Sequence, residues 1–254
     1  MRLRVLGCYG GELLGYKSTA LLIDDHLLID AGNVSILTSA DDLSRIRHLV
    51  LSHAHLDHIK ALPFVAEQLA EGGTGLDVYG TDEVIDSLKS HIFNGITWPD
   101  LSKLPTVQNP AVRYKRIQAE LPVNISGLSV RAVPVNHTIP AAGFIVGDER
   151  SSILYSGDTG PTERLWKAAN NTEDLKALMI EVSYPDRLKE RAIITRHLTP
   201  QLLVEEFKKI DIKGDMLIFI YHLKPLFVDE IKREICGLKI DNLILLEEGD
   251  EFEV

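Results

Sequence analysis

The sequence predicts an α/β fold in which two mixed sheets pack face to face, with helices outside. Three observations predict it. Strand and helix signals alternate along the whole chain. Each half is rich in strands with helices between them, the pattern of stacked layers. Finally, the 254 residues contain no stretch that reads as a linker, so one domain over 1–254 is expected, and 45 % hydrophobic residues suffice for a sizeable core.

The elements follow in order. Leu3 to Leu6 is an apolar strand, and Gly7, Gly10, Gly11 and Gly15 then mark a flexible loop. Thr19 to Ile23 and Leu27 to Ile29 read as a hairpin-like pair around Asp24, Asp25 and His26. His48 to Leu51 is a strand. Apolar residues at Ile59, Leu62, Val65, Ala66 and Leu69 have helical spacing. After Gly72-Gly73-Thr74-Gly75 come a short strand and a helix. The aperiodic stretch His91 to Asp100 then predicts a cover segment near 91–106. Strands return at Val112 to Ile117, Leu128 to Val135, Ala142 to Val146 and Ser152 to Tyr155. Helices at Thr162 to Ala169, Pro200 to Lys208 and Val228 to Ile235 interleave with strands at Ala177 to Val182, Met216 to Ile220 and Leu243 to Leu246.

Composition narrows the function classes. A formal net charge of −10 disfavours a long polyanionic partner, because nucleic-acid binding needs clustered Lys and Arg. Cys8 and Cys236 form no CxxC pair or disulfide framework and read as small half-buried thiols. The N-terminus is interrupted by glycines too soon for a signal sequence, and no apolar run approaches the ~20 residues that span a bilayer. A cytoplasmic protein with no membrane partner is expected.

The chemistry is concentrated in Ser52-His53-Ala54-His55-Leu56-Asp57-His58. Three imidazoles and a carboxylate fall within six residues, and zinc-like ions take such nitrogen and oxygen ligands. His53 and His55 alternate off a strand end and can project to one side. Asp57 and His58 lie beyond it and can turn toward a second ion. A solvated histidine loop is the bland alternative, which the HxHxDH spacing between strand and helix outweighs. Three later segments each end a strand with a ligand-type residue: His137 after Val135, Asp158 between Gly157 and Gly160, and His222 after Tyr221.

With these motifs in this order, the sequence resembles the metallo-β-lactamase superfamily over nearly its whole length. The resemblance implies an αββα sandwich with the site at one edge. It implies that His53, His55 and His137 hold one metal, that Asp57, His58 and His222 hold another, and that Asp158 bridges them. Two divalent ions are expected; the ligands suit zinc, and also manganese or iron.

Within the superfamily the sequence is most similar to the class II 3′,5′-cyclic-nucleotide phosphodiesterases. The similarity rests on His53 to Ile59, on His91-Ile92-Phe93-Asn94 with Trp98-Pro99-Asp100, and on Tyr155 to Glu163. Glu181-Val182-Ser183-Tyr184-Pro185 and Arg196-His197-Leu198-Thr199-Pro200 extend it. Ala61 departs from the Gly or Ser usual in the first motif. The tRNA 3′-processing endonucleases (ribonuclease Z) share the metal motifs and a catalytic histidine near His197. Their long basic, glycine-rich arm has no counterpart here. A metal-dependent sensing module without catalysis is a third possibility, disfavoured because a sensor has no need of Glu181 and His197.

The first resemblance implies hydrolysis of cyclic AMP or cyclic GMP to a 5′-nucleoside monophosphate. Asp57 can then aim the attacking water. His197 can supply the proton for the leaving alkoxide, with Glu181 fixing its tautomer and raising its pKa. Phe93, Asn94 and Trp98 are candidates to hold the base, by stacking and by an amide edge. Packing of the loop's own aromatics, or a dimer contact, fits them equally. The family also implies a homodimer. Among other residues, Asp30 is expected to orient a ligand histidine, and His26 and His48 to face solvent. His91 can go either way. Arg113, Lys115 and Arg116 are expected on a solvated strand face, and Lys208, Lys209 and Lys213 at an exposed helix end.

Overall fold

Strands carrying apolar residues at successive positions must bury both faces, and the sheets show how. In the computed structural model, which describes residues 1–37, 39–212 and 214–254, two seven-stranded sheets pack against each other. Lys213 lies outside the described residues.

The first sheet contains β1 (Arg2–Gly7), β2 (Ala20–Ile23), β3 (Leu27–Ile29), β4 (His48–Val50), β5 (Leu76–Gly80) and β6 (Val112–Arg116) side by side. β14 (Glu251–Glu253) adds outside β1. Pairing is antiparallel from β14 to β3 and parallel from β3 to β6. The second sheet runs from β7 (Pro122–Ile125) through β8 (Leu128–Pro134), β9 (Ala142–Gly147), β10 (Ser152–Tyr155), β11 (Leu175–Glu181) and β12 (Leu217–Tyr221) to β13 (Leu243–Leu245). Its first three pairings are antiparallel and its last three parallel. Both sheets are therefore mixed.

Alternation along the strands sorts residues into two cores. Leu21, Ile23, Leu27, Ile29 and Val50 face inward and join Phe144, Tyr155, Met179 and Phe219 of the second sheet. Ala20, Leu22, Leu28, Leu49 and Leu51 point the other way. They meet Leu62, Val65 and Leu69 of a helix that covers the first sheet. The outer face of the second sheet is covered in the same manner. Leu165 and Trp166 of α5 (Arg164–Asn170), Leu203 of α7 (Pro200–Phe207) and Ile231 of α8 (Val228–Gly237) belong to the larger core.

Several elements differ from expectation. The predicted helix over Ile59 to Leu69 is two helices, α2 (Leu56–Ile59) and α3 (Leu62–Glu71). The Ala61 amide donates to Ala31 O at 2.8 Å instead of continuing the helix, and Pro63 has no amide to offer. The sequence signals miss α1 (Ala40–Arg45), α6 (Lys189–Thr195), β7 and β14. The two strands are short, largely exposed edges whose pattern offers little apolar alternation. A helix α4 (Asp82–Ser87) runs into a π-helical turn over Leu88–Ile92 at the start of the cover segment.

His26 and His48 are half-buried rather than solvent-facing, with ring centroids 6.3 Å apart, because the loops flanking β3 and β4 fold them together. His91 is exposed. Arg113 binds Asp77, and Arg116 binds Asp82 and Asp86, so that basic cluster is largely neutralised. Cys8 is fully buried, with its thiol on Leu246 O, while Cys236 is exposed. No helix among the described residues is long and apolar enough to cross a membrane.

Candidate metal centre

Five strands that run in one direction end at the same edge of the sandwich. Asp30 follows β3, the His53 to His58 loop follows β4, Asp158 follows β10, Ser183 follows β11 and His222 follows β12. β8 runs the same way as β10, since each is antiparallel to β9, and it delivers His137 to the same edge. The crevice at the carboxyl ends of parallel strands is where open sheets gather ligand residues.

Ligand-type side chains gather chiefly in two groups, His53, His55, His137 and Asp158 in the first and Asp57, His58 and His222 in the second, with a third, Asp158, His197 and His222, overlapping both. In the first, His55 Nδ1 lies 3.1 Å from both His53 Nε2 and His137 Nε2. In the second, His58 Nε2 and His222 Nε2 are 3.2 Å apart, and Asp57 Oδ2 is 3.5 Å from His222 Nε2. Asp158 lies between them. Its Oδ2 is 3.2 Å from His222 Nε2 and 3.7 Å from His53 Nε2, and its Oδ1 is 3.3 Å from His58 Nε2. All seven expected ligand residues are thus brought together, and Asp158 touches both groups.

The donor set fits divalent metal. Zinc–nitrogen bonds of ~2.0–2.1 Å in a tetrahedron put neighbouring ligand atoms about 3.3–3.4 Å apart, close to these separations. The alternative is imidazole nitrogens crowding one another in the interior with too few protons to share. Asp158 Oδ1 is buried and makes no well-oriented hydrogen bond, although His58 is near. A buried carboxylate oxygen without a partner is costly unless a cation supplies one.

The opposite edges of the rings are held by fixed partners. His58 Nδ1 donates to Asp30 Oδ2 at 2.7 Å. His53 Nδ1 faces Ser52 Oγ at 2.9 Å, and His222 Nδ1 faces Ser183 Oγ at 2.9 Å. His137 Nδ1 faces the Arg196 carbonyl at 3.3 Å. Such contacts leave Nε2 directed at the centre of the site. Asp30 has the orienting geometry expected of it and does more. Its carboxylate also accepts from Ser52 N, Ser52 Oγ and Tyr155 OH, at 2.8, 2.7 and 2.6 Å.

Electrostatics follow from burial and charge. Burial pushes His53, His55 and His222 below the ordinary imidazole value, and His137 down to about 4, favouring the neutral form that can ligate. For Asp57, burial opposes ionisation, but the His222 hydrogen bond and the charge of His58 hold the carboxyl far below its usual range. Asp158 is held ionised against its burial by His222 and His58. His58 is the exception among the ring groups. Burial disfavours its charge, yet Asp158 and Asp30 raise it well above the ordinary value.

Beside these groups, His197 Nδ1 donates to Glu181 Oε1 at 2.6 Å. Burial lowers the pKa of His197, and the Glu181 charge and hydrogen bond more than reverse that. The Glu181 carboxylate is itself held by Thr159 N at 3.1 Å, Ser183 Oγ at 2.9 Å and Leu198 N at 3.4 Å. The His197 ring lies 5.1 Å from that of His137 and stacks at 5.5 Å on that of His222.

The three candidates for holding a base do not join this assembly. Phe93 is 2 % exposed, in the core beneath the cover segment, so its faces are covered. Asn94 spends its amide on its own loop, accepting from Ile96 N and Thr97 N and donating to Ser90 O. Trp98 packs edge-on to Phe64 at 5.2 Å. The cover segment thus folds over Phe93 and packs Trp98 on Phe64, while Asn94 stays exposed and the Trp98 indole nitrogen is buried without a hydrogen-bond partner among the described residues.

Sequence reasoning missed the roles of Ser183, Tyr155 and Lys224. Ser183 joins Glu181 to His222. Tyr155 binds Asp30 across the two sheets. Lys224 Nζ lies 4.0 Å from Asp57 Oδ2. Only their positions at or just past strand ends hinted at them.

With this geometry in view, the comparisons define the family. The profile of the beta-lactamase superfamily domain matches residues 26–220, and the chain belongs to that family. It is 28 % identical to a probable 3′,5′-cyclic-nucleotide phosphodiesterase of Yersinia pestis, over 96 % of this chain and 79 % of that protein. The solved structure of unliganded yeast PDE1 superposes with a TM-score of 0.83 at 18 % identity, covering 98 % of each chain. Human tRNase Z, short form, superposes at 0.71 and 18 % identity, covering 100 % of this chain and 99 % of that one. The chain is therefore a metallo-β-lactamase superfamily protein, similar to proteins named cyclic-nucleotide phosphodiesterases, and its His/Asp clusters are compatible with a divalent metal site.

Proposed function

We propose that the chain is a dinuclear metal-dependent phosphodiesterase that opens 3′,5′-cyclic nucleotides to 5′-nucleoside monophosphates. The observation that carries this reading is the Glu181–His197 pair at 2.6 Å, standing against the ligand cluster. A site that only held metal would have no use for a buried imidazole held by a carboxylate at its rim, its pKa raised by Glu181 against its burial.

His53, His55, His137 and Asp158 would hold one ion, and Asp57, His58, His222 and Asp158 the other. Zinc suits these ligands, with manganese or iron as alternatives. Bound divalent ions supply Lewis-acid stabilisation of the phosphoryl oxygens and a water that is nucleophilic at neutral pH. The residues do the rest. Asp57, kept ionised, aims that water at phosphorus. Glu181 holds His197 through Nδ1, which leaves Nε2–H to face the reacting group. As the bond from phosphorus to the 3′ oxygen breaks, His197 gives that oxygen its proton. The name of the Yersinia pestis relative supports the substrate class.

Tight binding of a long RNA sits poorly with a net charge of −10, and so favours the small substrate over pre-tRNA. The test is turnover of cyclic AMP, cyclic GMP and a pre-tRNA by the metal-loaded protein and its His197→Ala variant. The expected result is a 5′-nucleotide product, with turnover lost about 10²–10⁴-fold in the variant, the usual contribution of a general acid. Cleavage of pre-tRNA with neither cyclic nucleotide touched would overturn the reading in favour of the nuclease.

A further inference from the structure

Lys224 differs from most lysines near acidic groups, sharing only with the more exposed Lys17, 3.6 Å from Glu12, the lack of a close pair among the described residues. Lys103, Lys208, Lys209 and Lys232 each lie 2.7–2.8 Å from a carboxylate oxygen and are paired outright. The Lys224 ammonium comes no closer than 4.0 Å to its one acidic neighbour, Asp57, which is beyond hydrogen-bond reach. Among the described residues its ammonium has no hydrogen-bond acceptor. The side chain is nonetheless three-quarters buried, at 24 % exposure.

Its backbone is fixed beside the site. Lys224 N donates to Ser183 O at 3.2 Å, and Phe227 N donates to Lys224 O at 2.9 Å. The preceding Leu223 O accepts from Gly10 N at 3.1 Å, and Pro225 follows. The backbone is thus tied to the segment after β11, to the glycine loop and to its own turn, and the ammonium lies 4.0 Å from Asp57 at the edge of the ligand cluster.

An ammonium partly stripped of water with three unused donors needs an acceptor. Asp57 Oδ2 does not serve, since it is 4.0 Å away and faces His222 Nε2 at 3.5 Å. We infer that Lys224 is the anion anchor of the site, taking a non-bridging phosphoryl oxygen of the substrate. Lysine serves this purpose as a compact point charge. It also answers how a protein of net charge −10 draws in an anion, since a local positive centre at the mouth sets the field there. This assignment rests on the phosphodiesterase reading for its substrate, but the anchoring of a phosphoryl group can be measured without turnover.

The experiment compares wild type, Lys224→Ala and Lys224→Arg as full-length, metal-loaded protein. Three quantities are read: metal per chain, calorimetric affinity for inorganic phosphate, and the kinetics of cyclic-nucleotide hydrolysis. In Lys224→Ala, phosphate affinity is expected to fall at least about tenfold, the loss of one charge-assisted contact. KM is expected to rise alongside with a smaller change in kcat, metal content to hold, and Lys224→Arg to recover much of the loss. Unchanged phosphate affinity, or wild-type protein that does not bind phosphate, overturns the assignment. So does metal lost in parallel with phosphate, which would make Lys224 a mere support for Asp57. If the protein hydrolyses no cyclic nucleotide but Lys224→Ala still loses phosphate, the anchor stands and the substrate reading alone falls.

Discussion

Asp30 shows what one buried carboxylate does for a site it does not itself form. Its two oxygens accept four hydrogen bonds, from Ser52 N, Ser52 Oγ, His58 Nδ1 and Tyr155 OH. This locks the first residue of the histidine loop, one of its rings and a strand of the opposite sheet to one point. The residue adopts a left-handed backbone with φ of 54°, which aspartate tolerates better than most. Asp30→Asn keeps the shape but turns one acceptor into a donor that faces donors. Metal affinity is expected to drop about 10–100-fold, the usual cost of losing a carboxylate behind a ligand histidine. A competitive chelator titration reads it, and an unchanged affinity would show that Asp30 serves folding alone. Ser183 plays the matching part on the other side, between Glu181 and His222.

At the scale of elements, the loop after β1 is the least obvious contributor. Its glycines read as flexible, yet Gly10 is a spacer against His222. A side chain there would begin 2.6 Å from His222 O and 2.7 Å from its ring. His222 itself sits at φ of 67°, with its amide on Cys8 O at 2.6 Å. The close approach of β1's loop and β12's end therefore sets that ligand's direction. Gly10→Ala is expected to displace the ring and weaken binding of the ion His222 would hold by more than about tenfold, given how sharply ligation depends on placement. Gly237→Ala, where the added carbon meets nothing within 4 Å, is the control and should leave metal binding unchanged. Equal metal binding in both variants would remove Gly10 from this account. The break between α2 and α3 works similarly, because the Ala61–Ala31 hydrogen bond ties the loop carrying Asp57 and His58 to the chain just past Asp30.

For the whole molecule, the two-sheet sandwich buries one inner core and leaves all the chemistry at one edge. Stability and catalysis can then be perturbed separately. His48, at the far end of β4 from the site, is an example. Burial lowers its pKa from the ordinary 6.5, so the unfolded chain takes up its proton at higher pH than the folded one does. The neutral folded form is fully favoured above about pH 6.5, and the contribution is lost as pH falls below it. His48→Gln should therefore lose less stability than wild type between pH 7 and 5. Denaturant midpoints of the metal-stripped proteins check this, and parallel pH profiles would contradict it.

What the sequence by itself determined was most of the central strands and covering helices and the identity of the metal-type residues. Short, mostly continuous apolar runs ending in His, Asp or Glu were enough to place His53 to His58, His137, Asp158, Glu181 and His222 at strand ends. Such features are local, and local spacing is visible in one dimension. Only the tertiary structure decided which strand ends meet. It alone set Asp158 between two histidine groups, joined Tyr155 to Asp30 across sheets, and brought Lys224 to Asp57 across 167 positions. The cover segment shows the same limit: an aromatic in an aperiodic loop looks alike in sequence whether it waits for a ligand or, as Phe93 does, packs into the core. Burial is a property of the assembled chain, decided by competition among all its apolar surfaces, and no local window of residues contains it.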